Sequence, residues 1–166
     1  MKRLFLFCFV LILLSSGILK AQSSCKEIIG YYPSWQMYKR TGAVVPEVLD
    51  YSRYTILNYS FFAPDSNGYL KGTDPWADTL LLRGRIDWGK PQPAYFTNTS
   101  IIDYAHLFGT KVMVSIGGWT LSDNFPGIAA DPAKTKIFVD ECVRVIKEYQ
   151  FDGIDIDWEY PCYEEH

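Results

Sequence analysis

The chain has 166 residues, 48% of them hydrophobic and 16% aromatic, and a formal net charge of −3 at pH 7. That length and composition suit one modest globular domain with a hydrophobic core. The mild acidity gives no electrostatic case for nucleic acid or for an anionic membrane surface as a partner.

The start of the chain has the pattern of a secretory signal peptide. Lys2 and Arg3 precede an apolar run from Leu4 to Leu14, and Ala21 is a suitable last residue before a cleavage site. This run is shorter than the roughly 20 residues that span a bilayer. We therefore predict that residues 1–21 direct export, that the mature chain is secreted or periplasmic, and that it has no membrane span.

Three cysteines remain after the predicted signal: Cys25, Cys142 and Cys162. An odd number of cysteines in an oxidising compartment leaves two alternatives open, one disulfide with one free thiol or no disulfide at all. Their spacing matches no metal site. A lipid-modified Cys25 is the alternative to a freely exported chain, but Gln22 stands where such sites usually carry an aliphatic residue.

Strand-like and helix-like segments alternate along the rest of the chain. Apolar runs rich in branched and aromatic residues predict four strands, at Glu27–Tyr32, Tyr54–Phe62, Lys111–Trp119 and Phe151–Glu159. Residues 63–99 contain many Gly and Pro residues and no strong periodicity, so we predict an extended loop with small local elements.

Three segments predict helices. A short helix with proline in its first turn is predicted at Pro46–Tyr51. Ser100 is a suitable cap for a helix that runs to Phe108. Asp131 caps the clearest helix, whose apolar face repeats at helical spacing through Phe138, Cys142, Val145, Ile146 and Tyr149. The alternation of strands and helices predicts an α/β fold with a parallel sheet covered by helices.

Three carboxylates alternate with apolar residues in the last predicted strand. Asp155, Asp157 and Glu159 would share one face, because alternate side chains of a strand point the same way. Like charges on a buried face repel each other and lose hydration, so at least one of the three should hold a proton at neutral pH. Such an arrangement favours acid–base chemistry.

Four short segments carry a distinctive pattern: DGIDIDWE at 152–159, SIGGW at 115–119, GYY at 30–32 and NYSF at 58–61. The first resembles the DxxDxDxE signature of glycoside hydrolase family 18, the chitinase family, and the second resembles its SxGG motif. The last two are similar to the family's first and second strand segments. The resemblance implies a TIM (β/α)8 barrel, with residues 22–166 as a partial catalytic domain that holds the first four βα units and is truncated after strand 4.

The resemblance implies a role for each acid. Glu159 would protonate the glycosidic oxygen and later activate water. Asp157 would orient the substrate's N-acetyl group, whose carbonyl oxygen attacks the anomeric carbon, and would stabilise the oxazolinium-like intermediate. Asp155 would share a proton with Asp157 and accept hydrogen bonds from Ser115 and Tyr31. No metal or other cofactor is implied; a calcium or magnesium site is the alternative, but successive strand positions converge poorly on one ion.

Supporting roles are implied around the acids. Trp119 would stack on a sugar face, with core packing as the alternative, and Gly117 and Gly118 would leave room for the approaching polysaccharide. Phe61 is included among the supporting residues, although core or loop packing also accounts for it. Asp152 is an odd number of residues from the three acids, so its side chain would point to the opposite face of the strand. We expect it to support the start of the strand.

The implied activity is hydrolysis of β-1,4-linked N-acetylglucosamine polymers, chitin or a related polysaccharide, by substrate-assisted retaining catalysis. Two alternatives stay open. A chitin-binding lectin of this fold typically lacks the final acid, whereas Glu159 is present here. An endo-β-N-acetylglucosaminidase acting on glycoprotein glycans uses a similar acidic motif, although the context of Trp158, Tyr160 and Pro161 is more similar to chitinases.

The sequence ends at His166, shortly after the fourth predicted strand. A (β/α)8 barrel usually needs about 250 residues, and the resemblance places a sixth-strand tyrosine and a late tryptophan beyond this point. We therefore predict that the chain is a fragment with little or no hydrolase activity alone.

Overall fold

A five-stranded sheet forms the centre of the computed structural model, which describes residues 26–39, 45–87, 89 and 99–162. The strands β1 to β5 span, in chain order, Ile29–Pro33, Ile56–Pro64, Leu70–Gly72, Lys111–Gly117 and Gly153–Asp157. β1, β2, β4 and β5 are parallel and are hydrogen-bonded in that order, while β3 pairs antiparallel with the end of β2. The predicted parallel α/β sheet is confirmed, with one hairpin added. The predicted signal peptide and Cys25 lie outside the described residues.

Five α-helices occur between these strands in the described residues. The helices α1 to α5 span Gln36–Lys39, Pro75–Arg83, Ile101–Leu107, Phe125–Ala129 and Pro132–Tyr149. The caps of α3 and α5 are those predicted from the sequence. Ser100 forms a capping box with Asp103, and the Asp131 side chain accepts hydrogen bonds from the backbone N–H groups of Ala133 and Lys134.

The region predicted as an extended loop contains regular structure. β3 follows a turn in which Asp65 Oδ1 accepts hydrogen bonds from two backbone N–H groups. α2 begins at Pro75, where the Asp74 side chain accepts from the Ala77 N–H. These are the small local elements predicted within that loop, and they are too short to show a long apolar period. The five-residue α4 is also short, and the sequence did not predict it. The helix predicted at 46–51 is wrong, since this region forms two separate 3-10 turns, Pro46–Val48 and Tyr51–Arg53.

Two strands end earlier than predicted, which changes the geometry of the acids. β4 stops at Gly117, and Gly117 and Gly118 then turn the chain with φ angles of +108° and +99°. β5 stops at Asp157. Asp155 and Asp157 therefore share a strand face, whereas Glu159 lies beyond the strand. The prediction that all three acids line one strand face is wrong for Glu159.

The two faces of the sheet differ in chemistry. The cross-strand register aligns Tyr31 with Asn58, and Ser60 with Ser115 and Asp155, so these polar side chains share one face. The opposite face is apolar and packs with helix residues into the core, through Leu57, Tyr59, Val112, Val114, Ile116, Leu81, Ile101 and Val145. The polar face is therefore the one on which a site forms.

One carboxyl is buried on the apolar side. Asp78 of α2 is 4% exposed, and its Oδ1 accepts a 2.5 Å hydrogen bond from Tyr59 OH. Its Oδ2 accepts a hydrogen bond from the Asp74 N–H. Burial raises the pKa of Asp78 to about 6, and these hydrogen bonds act in the opposite direction.

We expect Asp78 to make the folded chain less stable as pH rises from about 4 to about 6. Within this range the folded state keeps a proton that the unfolded state has released, whereas below it both states are protonated. The free energy of unfolding should fall by roughly 2–3 kcal/mol across the range because of this group. Urea denaturation of wild type and Asp78→Asn at several pH values measures the difference.

Asp140→Asn is the matched control for this measurement, because Asp140 forms an exposed ion pair with Lys136. It should keep the wild-type pH dependence of the free energy of unfolding. If Asp78→Asn also kept it, the raised pKa of Asp78 would not contribute to stability.

Candidate active site

Asp155 accepts hydrogen bonds from two other strands. Ser115 Oγ, on the neighbouring β4, donates to Asp155 Oδ2 at 2.8 Å, and Tyr31 OH, on β1, donates to the same oxygen at 3.1 Å. Two strands separate β1 from β5 in the sheet, so the sheet curls enough for Tyr31 to reach across its polar face. The two hydrogen bonds fix the orientation of the Asp155 carboxyl.

Tyr31 lies beside Asn58, its register partner on β2, which was not assigned to the site from the sequence. Asn58 is 3% exposed, and its side-chain oxygen has no hydrogen-bond partner among the described residues. Burial and the nearby Asp155 and Asp157 raise the pKa of Tyr31, whereas the Asn58 amide acts in the opposite direction. The hydroxyl therefore keeps the proton that it donates to Asp155. The sequence signals for Asn58 are its place at the start of the NYSF segment and its polar side chain inside an apolar strand.

Asp157 lies beside Glu159 and Asp155. Burial, then the charges of Glu159 and Asp155, raise the pKa of Asp157, and hydrogen bonding with Glu159 acts in the same direction. Asp157 therefore holds a proton to higher pH than an ordinary aspartate. The implied sharing of a proton between Asp157 and Asp155 stays a prediction, and Glu159 is a second carboxyl next to Asp157 that lies beyond the strand.

Ser122 and Tyr160 contact Glu159, and neither was assigned from the sequence. The Glu159 N–H donates to Ser122 Oγ at 3.0 Å. A hydrogen bond between Tyr160 and the Glu159 carboxyl, together with the charge of Glu159, raises the pKa of Tyr160. The peptide bonds Ser60–Phe61 and Glu159–Tyr160 are cis. Glu159 is thus held through its backbone N–H, and its carboxyl lies beside Tyr160.

Aromatic side chains lie beside the acids. Trp119 is 68% exposed and meets Tyr160 edge-to-face, with ring centroids 6.2 Å apart. Its exposure rules out core packing and leaves ring surface for a ligand. Phe61, on β2, stacks on Trp35 at 5.9 Å and is half-buried, so packing against the neighbouring turn accounts for it.

Gly117 and Gly118 do not leave open space for a substrate. A Cβ on Gly117 would lie 2.3 Å from the Asp157 carbonyl oxygen, and a Cβ on Gly118 would lie 3.1 Å from the Phe61 ring. The Gly118 N–H also donates to the Asp157 carbonyl at 2.7 Å. The reason implied for these glycines is therefore wrong: they allow the end of β4 to approach Asp157 closely.

Asp152 lies away from the other acids, at the start of β5. Its Oδ2 accepts a 2.7 Å hydrogen bond from the Val112 N–H and lies 2.8 Å from His106 Nε2. Its own N–H donates to the Val112 carbonyl. These contacts join the starts of β4 and β5 to α3, and they place Asp152 outside the acid cluster.

Within residues 26–39, 45–87, 89 and 99–162, no group of three or more His, Cys, Asp or Glu side chains is arranged to hold a metal ion. None of the helices in these ranges has both the length and the hydropathy needed to cross a membrane. Cys142 and Cys162 are free thiols, and burial raises the pKa of Cys142 to about 11. The site described above consists of carboxyl, hydroxyl and aromatic groups, a set suited to acid–base chemistry.

Known proteins resemble this chain over most of its length. The family model described as glycosyl hydrolases family 18 matches residues 27–166. Chitinase ChiA of Flavobacterium johnsoniae is 37% identical over 145 residues, which cover 82% of this chain and 9% of that protein. Chitinase A1 of Niallia circulans is 30% identical over 165 residues, which cover 81% of this chain and 23% of that protein.

A solved structure has the same fold. The crystal structure of the Ostrinia furnacalis Group IV chitinase in complex with allosamidin matches with a TM-score of 0.66 and 28% identity, over 84% of this chain and 35% of that one. This chain therefore spans well under half the length of these relatives. The prediction that its strands are those of a TIM barrel is confirmed. The chain belongs to glycosyl hydrolases family 18.

Proposed function

We propose that the protein hydrolyses β-1,4 linkages in chitin or a related N-acetylglucosamine polymer by substrate-assisted retaining catalysis. The observation that carries the proposal is the pair of hydrogen bonds from Ser115 and Tyr31 that orients Asp155, next to Asp157 and Glu159 at the end of β5. The relatives described as chitinases support the substrate class. The exposed Trp119 offers a face on which a sugar ring can stack.

In the proposed first step, the proton held between Asp157 and Glu159 passes through Glu159 to the glycosidic oxygen as its bond to C1 breaks. The carbonyl oxygen of the sugar's own acetamido group forms the new bond to C1. Delivery of the proton leaves Asp157 ionised beside the positively charged oxazolinium ring, which the carboxylate stabilises. A protein nucleophile is not needed in this route.

In the proposed second step, water attacks C1 and the bond from the acetamido oxygen breaks. Glu159 takes the proton from this water, so the proton returns to the pair of carboxyls that supplied it. Burial, Glu159 and the neighbouring Asp155, which Ser115 and Tyr31 hold in place, all raise the pKa of Asp157 and so favour the return. Two displacements at C1 retain the configuration of the sugar.

Paired substrates test the proposal on the protein that carries this chain. A fully N-acetylated chitooligosaccharide should be cleaved, and NMR should show the β-anomer as the first product, whereas its fully deacetylated counterpart should not be cleaved. Equal cleavage of both, or an inverted product, would refute the acetamido route. Release of glycans from a glycoprotein without cleavage of chitooligosaccharides would favour an endo-β-N-acetylglucosaminidase, and binding of chitin without turnover would favour a lectin.

We also propose that the protein acts outside the cytoplasm, as a secreted or periplasmic protein. The support is the signal-peptide pattern of residues 1–21. Deletion of residues 1–21 should shift the protein to the cytoplasmic fraction of expressing cells. Unchanged fractionation would refute an export role for this segment.

A further inference from the structure

Ser122 is a buried side chain that connects two backbone segments of the site. It is 3% exposed, and its Oγ lies 2.9 Å from the Gly118 carbonyl oxygen and 3.2 Å from the Asp157 carbonyl oxygen. The same oxygen accepts a 3.0 Å hydrogen bond from the Glu159 N–H. One hydroxyl has a single proton to donate and two lone pairs that accept, so Ser122 holds Glu159 while it donates to one of the two carbonyls.

The Glu159 N–H depends on this acceptor because β5 ends at Asp157. Beyond that residue the backbone has left the hydrogen-bond ladder with β4, whose last register pair is Gly117 with Asp157. The Glu159 N–H instead donates to the side chain of Ser122, which is 37 residues away in sequence. Loss of the hydroxyl would leave this N–H without its partner.

Two further contacts hold the same segment, but neither acts on Glu159. The Asp157 carbonyl accepts from the Gly118 N–H at 2.7 Å, and the Trp158 ring stacks on Phe125 at 5.4 Å. These contacts keep the end of β5 against the loop after β4 even without Ser122. The serine is therefore the contact that sets the backbone position of Glu159 itself.

We infer that Ser122 is a positioning residue for Glu159, acting through the backbone N–H of the proposed acid. The effect on catalysis rests on the proposed function, whereas the backbone link between Ser122 and Glu159 does not. Proton delivery depends on placing the Glu159 carboxyl correctly against both Asp157 and the glycosidic oxygen, so a displaced backbone lowers the rate of the chemical step. Substrate contacts such as Trp119 are separate from this link, so the effect falls on kcat rather than on KM.

The experiment compares Ser122→Ala with Thr135→Ala in the full-length protein that carries this chain. Thr135 also donates a hydroxyl hydrogen bond to a backbone carbonyl, that of Ile128 at 2.8 Å, but has no link to Glu159. In Ser122→Ala, amide hydrogen exchange at Glu159 should accelerate by about tenfold or more, with the Asp152 amide unchanged. Cleavage of a chitooligosaccharide should show kcat reduced by about 10–100-fold and KM within about twofold. Thr135→Ala should change neither measurement.

Each outcome decides the inference. Unchanged exchange at Glu159 in Ser122→Ala would overturn the backbone link, and faster exchange with an unchanged kcat would overturn its catalytic role. If wild type cleaves no chitooligosaccharide while exchange at Glu159 still responds to Ser122, the proposed function fails and the backbone link stands. If Ser122→Ala does not fold, Ser122→Cys replaces it, because a thiol is of similar size and a much weaker acceptor.

Discussion

Glu159→Gln should reduce cleavage of chitooligosaccharides by about 10²–10⁴-fold, the range that a positioned general acid contributes. The amide has nearly the shape of the carboxyl but has no acidic proton to deliver to the glycosidic oxygen. It can still accept a hydrogen bond from Tyr160, and the backbone bond from its N–H to Ser122 does not involve the side chain. Binding of chitin should therefore persist while turnover is lost, as a pull-down with chitin beads and an oligosaccharide assay would measure.

Glu148→Gln is the matched control for this substitution. Glu148 lies on α5, where it pairs with Arg83 and Arg144, away from the acid cluster. The change removes one carboxylate of the same size and should leave kcat within about threefold. Full turnover by Glu159→Gln would show that another group supplies the proton.

A second measurement on Glu159→Gln does not depend on turnover. The charge of Glu159 and its hydrogen bond both raise the pKa of Asp157. Removing the charge should therefore lower the pKa of Asp157, which NMR titration of its side-chain carboxyl would detect. An unchanged pKa would mean that burial and the charge of Asp155 account for the raised value, and the shared proton would lose its support.

The sequence predicted the parts of the fold that long local patterns specify. α5 has eighteen residues with an apolar face and a capped start, and the strands β2 and β4 are long apolar runs, so periodicity and composition located them. β3 and α2 are short, and each is fixed by a few hydrogen bonds to side chains such as Asp65 and Asp74. Such contacts leave little periodic signal.

Most site residues that belong to a motif were predicted from the sequence. Residues that reach the site only through contacts between distant segments were not. Asp155, Ser115 and Tyr31 meet because parallel strands bring their carboxyl ends together. Ser122 belongs to none of the four motif segments, and its role depends on the Gly118 and Asp157 carbonyls and the Glu159 N–H that lie around it in three dimensions. Glu159 lies outside β5 because the hydrogen bonds between β4 and β5 end at Asp157. The alternation of acidic and apolar residues continues to Glu159 and therefore does not show where the strand ends.

Asp157→Asn should reduce kcat by about 10²–10³-fold, comparable with removal of one stabilising group from an active site. The amide has no negative charge to place beside the oxazolinium ring and no proton to share with Glu159. KM should stay within a few-fold, because the stacking surface of Trp119 is untouched. Steady-state kinetics with a chitooligosaccharide measures both constants.

The motif itself supplies the control for this change. Asp152 belongs to the same run of acids but contacts Val112 and His106 at the start of β5, so Asp152→Asn should leave kcat within about threefold. The double variant of Asp157→Asn and Glu159→Gln should be little slower than Glu159→Gln alone, because two carboxyls that share one proton act as a unit. Losses that multiply would show instead that the two acids act independently, and Asp157 would then serve the acetamido group without taking part in proton delivery.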